Sequence, residues 1–459
     1  MESLLICTIA APGLIFFALG MVWLLGWSPA ERFISRLTGA TYLFCTASTL
    51  VLLFQMQDRN LPSISAPLDQ WFGAGKYAFA SSLFMDRLSM TYVLITVILV
   101  GLIGAFSSRY LHREQGYFRF FALLHLFALG SLLIFASGSF DLLVVGWELV
   151  GITSVLLIAF FQERPEPVRG ALHVFGVYRA CDIGLLVAVV VLHHVAGSAS
   201  YGQLLKGAWP AQTSAVTGGA ATAVALLLII AASGKSAQVP FSGWLPRAME
   251  GPTPSSAVFY GAIAVHAGTY LLLRAQPILA ASPVASFAVV VIGAITAIHG
   301  TMAGRACANA KTSLAYASLS QIGIIFVEIG FGFTWLALVH VVGHAASRTL
   351  QFLRAPSMLH DYHQMHSAAG GNLQPTGAHY ESLLPAGMRR WLYRLALDRG
   401  HHDTILERFL LGGLMRVAQV LATFERLWAA PHPEAEHPGR SDALPFGWSP
   451  NADQATGAD

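Results

Sequence analysis

The chain has 459 residues, 55% hydrophobic and only 11% charged, with a formal net charge of +3. Soluble domains carry about 25% charged residues, so a soluble globular protein is excluded, and so small a positive charge gives no footprint for nucleic acid. A mean hydropathy of +0.59, with apolar runs of about 18 residues or more, indicates a polytopic membrane protein in contact with the lipid bilayer.

The N-terminus, MESLLICTIAAPGLIFFALG, has no basic region ahead of its apolar core, so it reads as a retained first span. Apolar runs of about 20 residues predict about eleven spans. They lie at 3–26, 39–56, 88–107, 118–138, 141–161, 171–194, 217–236, 254–275, 285–304, 313–331 and 333–353. An all-helical bundle is expected, because irregular backbone cannot face lipid. Cys7, Cys45, Cys181 and Cys307 lie in or beside these runs and form no CxxC pair, so they read as small helix residues.

Loop charges give an orientation. With the N-terminus outside, ten Lys and Arg residues fall in inner loops, from Arg32 to Lys311. Five fall in outer loops: Arg59, Lys76, Arg87, Lys206 and Arg274. The C-terminus then lies in the cytoplasm of a cell (inner) membrane protein. The organisation expected is N-terminal helices over 1–110, a core over 111–355, amphipathic helices over 356–430 and a disordered tail over 431–459. MRRWLYRLALDRG and HHDTILERFLLGGLMRVAQVLATFERLW supply the amphipathic pattern.

A charge within a span costs at least about 2.5–3.5 kcal/mol, so intramembrane charges are functional candidates. They are Glu148, Arg179, Asp182, Lys235 and Glu328, with the histidines His125, His173, His266, His299, His340 and His344. Each has a plainer reading. Arg179 and Asp182, three apart, share a helix face and have the lesser alternative of a structural ion pair. Lys235 ends its span and can snorkel to the interface. Glu328 lies near a predicted outer end, where half-solvation is natural. His125 and His299 read as packed residues. His340 and His344, four apart on one face, suit a proton relay.

Two lookalikes carry little. SGKS resembles the end of a phosphate-binding loop, but position 229 is Ile where that loop needs glycine. His360, His363 and His366 in HDYHQMH have spacing that suits zinc, but no cysteine accompanies them, and no metal is expected there.

Five motifs occur in order: GWELVGITSVLLIAFF, FGVYRACDIGL, SGKSAQVPFSGWLPRAMEGPTPSSA, AKTSLAYASLSQIG and HVVGHAASRTLQFL. Together, over roughly residues 80–355, the chain resembles the proton-conducting antiporter-like subunits of respiratory complex I, of the subunit 5 type, and their relatives in multisubunit sodium/proton antiporters. The resemblance implies inverted five-helix repeats with broken helices and a glutamate–lysine pair in the first proton half-channel. Glu148 matches that glutamate and Lys235 its lysine. Arg179 and Asp182 match the charges of the next helix, His340 and His344 the paired histidines, and Lys311 the lysine before LAY. Desolvation favours a neutral lysine and a nearby carboxylate a charged one, so Glu148 and Lys235 are expected to titrate as a coupled pair. Pro240, Pro252 and Pro254 are expected to break the helix beyond Lys235.

The departures are specific. Tyr260 stands where the family often has histidine, with His266 six residues on, and Arg348 replaces the lysine after the paired histidines. No span is expected after about 353, so the second repeat reads as truncated. A short chain, VFYGAIAVHAGTYLLLR, QFLRAPSMLHDYHQ and an arginine-rich amphipathic C-terminus together resemble the membrane subunit of DAB-type inorganic-carbon uptake systems. That resemblance implies a partner that is a large soluble zinc protein like β-carbonic anhydrase. The alternative is a respiratory-complex or antiporter subunit with respiratory partners. No cofactor motif is present, and no catalysis by the chain alone is expected.

Overall fold

The computed structural model describes residues 1–355 except 28, 75, 76 and 308, then 385–397 and the single residues 416, 420, 421, 423 and 424. His360, His363 and His366, most of the expected amphipathic region and the whole expected tail lie outside the described residues. The chain divides into two units, Met1–Leu411 and Gly412–Asp459. The helices of spanning length all belong to the first unit.

These helices are α1 (Glu2–Leu24), α2 (Glu31–Asp58), α3 (Arg87–Tyr110), α4 (Tyr117–Phe135), α5 (Phe140–Ile158) and α6 (Pro165–Ala196) in its N-terminal part. After a short α7 (Tyr201–Leu204) and a two-residue β3–β4 ladder come α8 (Gly218–Lys235) and a broken stretch holding α9 (Trp244–Arg247), α10 (Thr253–Ser256) and α11 (His266–Arg274). Then come α12 (Gln276–Ala280), α13 (Pro283–Ala306), α14 (Ala310–Gly330) and α15 (Thr334–Arg354), and an amphipathic α16 (Ala386–Leu397) that packs along α13. Among the described residues nine helices are long and apolar enough to cross a membrane, by length and composition. The expectation of a polytopic helical membrane protein is thus met. α15 has the length, but His340, His344 and Arg348 make it polar. The span expected at 254–275 is a discontinuous segment instead.

Helix ends follow local chemistry. Ser139 caps α5 by accepting from Leu142 N at 3.2 Å, and Asn309 caps α14 through Lys311 N at 2.9 Å. Pro165 opens α6 and Gly197, at φ 74°, ends it. Small residues let helices touch in the absence of a hydrophobic drive between them. A Cβ on Gly293 of α13 would sit 2.5 Å from the Gly323 carbonyl of α14, and the reverse approach is 2.6 Å.

The expected loop between the second and third spans is instead a β-hairpin, β1 (Ser63–Ala74) with β2 (Tyr77–Asp86), paired Ser63 to Asp86. Its pairing is interrupted between Pro67 and Phe72, where the register shifts. β2 also bonds the α4–α5 connection, Phe84 N to Ala136 O and Gly138 N to Ser82 O, each 2.8 Å. The hairpin therefore joins one end of the bundle.

That end holds Arg274, which the loop charges assign to the outer side. It is fully buried. Its guanidinium grips Asp86 in a bidentate pair, 2.7 and 2.8 Å, and donates to Ser89 Oγ at 2.8 Å. The Phe84, Tyr201 and Tyr270 rings surround it at 5.3–5.6 Å. Asp86 also caps α3 through Ser89 N at 3.0 Å. One ion pair thus ties the hairpin, α3 and α11, and Arg274 does not count as a loop charge. Breaking a buried pair leaves a lone charge and costs about 3–5 kcal/mol. Arg274→Met is therefore expected to lower the Tm of detergent-purified protein sharply, and Arg274→Met with Asp86→Leu to recover part of it. A single variant with wild-type Tm would show that the pair contributes nothing to stability.

Candidate functional site

Three helices converge on Lys235. α5 brings Trp147, Glu148 and Gly151, and α6 brings Tyr178, Arg179 and Asp182, each triplet on one face by its three- and four-residue spacing. α8 ends on Lys235 itself. The Lys235 side chain is completely buried, so it does not snorkel to an interface. Its Nζ lies 3.9 Å from Asp182 Oδ2 and over two rings, 4.1 Å from Tyr178 and 5.2 Å from Trp147. It has no hydrogen-bond acceptor among the described residues.

The carboxylate nearest Lys235 is Asp182, not the expected Glu148. Asp182 accepts from Trp147 Nε1 at 2.5 Å and from Arg179 Nη2 at 2.7 Å. Arg179 Nη1 forms an ion pair with Glu148. The four charges make a row of alternating sign: Glu148, Arg179, Asp182, Lys235. Arg179 enters because its three-residue offset from Asp182 and its long fork reach both acids, which spacing within α6 alone does not reveal. Gly151 makes room for the row, since a Cβ there would lie 2.9 Å from Lys235 Nζ and 3.3 Å from Arg179 Nη2. Glu148 and Arg179 remain about a quarter to a third exposed (26% and 30%), whereas Asp182 and Lys235 are sealed.

Beyond Lys235 the helix stops. Ala237 takes a positive φ of 53°. Pro240 precedes a 3-10 turn at Phe241–Gly243, Pro252 caps α10 and Pro254 lies in its first turn. A π turn (Ala257–Ala262) and a non-helical step at Ile263 precede α11, which opens on His266. Ser236, next to Lys235, donates to the carbonyl of Val265, next to His266, at 2.6 Å. One hydrogen bond therefore joins the two breaks. Lys311, in the first turn of α14, donates to the carbonyls of Met249 and Gly251 at 3.2 and 3.3 Å. It satisfies acceptors that the broken stretch leaves open.

The histidines of α15 go to different partners despite their shared spacing. His344 Nδ1 lies 2.9 Å from His266 Nε2, with the rings edge-to-face, and both residues are buried. One ring donates and the other accepts. His340 turns to α14 instead: Nδ1 is 2.9 Å from Glu328 Oε1 and Nε2 is 3.0 Å from Gln321 Oε1. The Glu328 side chain is 12% exposed, so it is not half-solvated; His340 covers it. Arg348 donates to Ala317 O at 3.2 Å and to Gln351 at 2.7 Å. His125 sits between Thr38 Oγ1 and Tyr42 OH at 3.1 and 3.3 Å and stacks on the Tyr42 ring, as a packed residue does. His173 contacts Arg247, and His299 meets the edge of Tyr316.

Residues absent from the sequence-level candidates are Trp147, Gly151, Tyr178, Ser236 and Gln321. Trp147 and Gln321 stand in the GWE and LSQ motifs, but what they touch depends on a neighbouring helix.

Residues 137–377, more than half of the chain, match the family model described as NADH:quinone oxidoreductase/Mrp antiporter, TM. Residues 71–121 match that of the N-terminus of chain 5 of NADH-ubiquinone oxidoreductase (complex I). Subunit L of NADH-quinone oxidoreductase from Mycobacterium tuberculosis is 36% identical over 296 residues, covering 64% of this chain and 46% of that protein. Subunit L from Campylobacter jejuni is 32% identical over 333 residues, covering 72% and 54%. The chain thus spans about half the length of these relatives. Among solved structures, a chain of the Mrp complex from Dietzia sp. DQ12-45-1b superposes with a TM-score of 0.65 at 28% identity, covering 76% of this chain and 37% of that one. A multi-pass helical bundle, a helix interrupted after a buried lysine and a family match over most of that core lead to one statement: the chain belongs to the NADH:quinone oxidoreductase/Mrp antiporter transmembrane family.

Proposed function

We propose that the chain is a proton-conducting subunit of a cell inner membrane, N-terminus outside and C-terminus cytoplasmic, which couples the proton motive force to a partner. The observation that carries this reading is the buried ammonium of Lys235 at a helix break, held by a row of alternating charges and not by hydrogen bonds. A purely structural lysine would be paired closely, because an unpaired buried charge is costly. This one is held at 3.9 Å, a separation that a small shift in its neighbours can change.

The row suggests how such a shift propagates. A proton arriving on the partly exposed Glu148 removes its charge and frees Arg179 to engage Asp182 fully. Asp182 is then a weaker counter-ion for Lys235, and the ammonium passes its proton on. The released proton enters the break, where Ser236 and the carbonyl of Val265 lead to His266 and His344. Lys311 holds the broken stretch in place, and Pro240, Pro252 and Pro254 keep it from closing into a helix. His340 extends the path along α15.

The partner we infer is a large soluble zinc protein resembling β-carbonic anhydrase, so that proton movement energises inorganic-carbon uptake. Support comes from the segments VFYGAIAVHAGTYLLLR, which holds Tyr260 and His266, and QFLRAPSMLHDYHQ, and from the arginine-rich pattern after them. His266 pairs with His344, which gives that residue a place in the path. A second reading, a subunit of a respiratory or Na+/H+ antiporter complex, is favoured by the names of the relatives.

Three outcomes are expected. In proteoliposomes, Lys235→Met should reduce proton flux on the order of 100-fold or more, the usual contribution of a positioned proton carrier; full flux would end the proposal. Gly151→Ala places a methyl group against Lys235 Nζ and Arg179, and it should leave the Tm intact while reducing flux at least several-fold. Gentle purification of the tagged chain should recover a zinc-containing soluble protein by metal analysis and mass spectrometry. Recovery of quinone- or NADH-binding subunits instead would establish the second reading.

A further inference from the structure

An open cavity of about 780 Å³ lies between the start of α2 and the end of α3. Ser35 and Gly39 of α2 line it, with Ala105, Ser108, Arg109 and Tyr110 of α3. The hollow exists because four of these residues are small. Gly39 and Ala105 are exposed, and a Cβ on Gly39 would meet no heavy atom within 4 Å. Beside it the two helices touch. A Cβ on Gly104 would lie 3.1 Å from Thr38, and one on Gly101 would lie 3.0 Å from Tyr42. The cavity is therefore a notch in the outward face of a close-packed helix pair.

Its charge is one-sided. Arg109 lines it, and Arg32 and Arg36 precede Ser35 and Gly39 by three residues, on the same face of α2. All three arginines are exposed. Among the described residues the lining includes no acidic side chain. The acid that opens α2, Glu31, is already engaged: it accepts from His112 Nδ1 at 2.6 Å and from Arg113 N at 3.0 Å. One turn deeper the surface turns apolar, with Leu43 and Leu102 72% and 56% exposed. Gly39 lies eight residues into α2, which starts at Glu31, so it is about 12 Å from the helix end at 1.5 Å per residue. Headgroups occupy roughly the outer 5–8 Å of each leaflet. The arginines thus stand at headgroup depth, and the two leucines at acyl-chain depth.

We infer that this notch binds one anionic phospholipid, with its phosphate on Arg32, Arg36 and Arg109 and one acyl chain over Leu43 and Leu102. The planar guanidinium fork matches two phosphate oxygens at once. A soluble phosphate would satisfy the arginines and leave the leucines bare, whereas a lipid covers both. In the orientation proposed above, the notch opens on the cytoplasmic leaflet, whose surface is anionic.

The occupant has a route to the broken stretch. Tyr110, on the cavity wall, shares a hydrogen bond of 3.2 Å between its OH and Thr253 Oγ1. Thr253 is buried and opens α10. Two residues before it, Gly251 offers one of the carbonyls that Lys311 holds. A phosphate on Arg109 fixes the last turn of α3 and with it Tyr110, so the lipid steadies the start of α10 from the membrane side. Binding in the notch is independent of the proton-conducting reading; its effect on flux rests on that reading.

The test uses the full chain with its co-purifying subunits, in phosphatidylcholine nanodiscs carrying phosphatidylglycerol with a photoreactive diazirine on one acyl chain. Mass spectrometry should place the adduct around Leu43 and Leu102, and the matching phosphatidylcholine probe should label there only weakly. Arg36→Gln and Arg109→Gln should each lower labelling about fivefold, the share of one arginine near an anionic surface. Gly39→Trp fills the notch and should abolish labelling with an unchanged Tm. Excess inorganic phosphate should not compete. In phosphatidylcholine proteoliposomes, added phosphatidylglycerol should raise proton flux several-fold in the parent and not in Gly39→Trp. Equal labelling by the two probes, or labelling untouched by Arg109→Gln and Gly39→Trp, overturns the site. Competition by inorganic phosphate alone makes it a soluble-anion site, and an adduct on a co-purifying subunit makes it a protein interface; either overturns the lipid. If labelling behaves as expected but flux ignores phosphatidylglycerol, the link through Tyr110 is wrong. If Lys235→Met conducts normally, the proton-conducting reading fails and the labelling result stands.

Discussion

The core depends on holding an ammonium in a place sealed from solvent. Burying a charge without a partner costs several kcal/mol even after relaxation, and Lys235 has no hydrogen-bond acceptor among the described residues. Everything around it answers that cost at a distance. Asp182 supplies opposite charge at 3.9 Å, and two aromatic faces supply negative quadrupole. Asp182 in turn is fixed by Trp147 and Arg179, and Arg179 by Glu148. None of the four charges can change without altering the others.

Arg274 is the contrasting cation. Both it and Lys235 are fully buried. Arg274 is gripped by a bidentate carboxylate, a hydroxyl and three rings, and guanidinium does not lose its proton in proteins. That arrangement suits a fastening between a hairpin and two helices. Lys235 has a looser shell, a side chain able to exist neutral, and a break in the backbone immediately beyond it. One chain thus holds a buried cation built to stay and another whose environment leaves it able to change.

The broken stretch is where backbone and side-chain chemistry meet. Proline removes donors and fixes dihedrals, so carbonyls near Pro240 and Pro252 lose helical partners. Lys311, from a distant helix, takes two of the exposed carbonyls, and Ser236 takes the one preceding His266. Most of the irregular backbone is buried in protein, with Pro240 and Glu250 exposed, and burial in protein is the condition under which a membrane tolerates it. Gly151, Gly261 and Gly268 matter here because neighbouring helices press against their backbones, leaving no room for a side chain.

The sequence by itself determined the class of molecule and the cast of charges. Hydrophobic runs of spanning length leave few alternatives in lipid, so most helices were legible within several residues, and the cost of burying Glu148, Arg179, Asp182 and Lys235 marked them before any contact was known. What it could not determine was pairing. Spacing along one helix says which residues share a face, not which neighbour that face meets. Lys235 therefore read as a partner of Glu148 where the fold offers it Asp182, and His340 and His344 read as one relay where α15 sends them to α14 and α11. The hairpin at Ser63–Asp86 was hidden because its register shifts between Pro67 and Phe72 and because β2 bonds the α4–α5 connection, which is distant in sequence. Arg274 read as a loop charge because only the packed fold brings Asp86, 188 residues away in sequence, against it. Contacts of that separation are products of helix packing, and tertiary structure alone decides them.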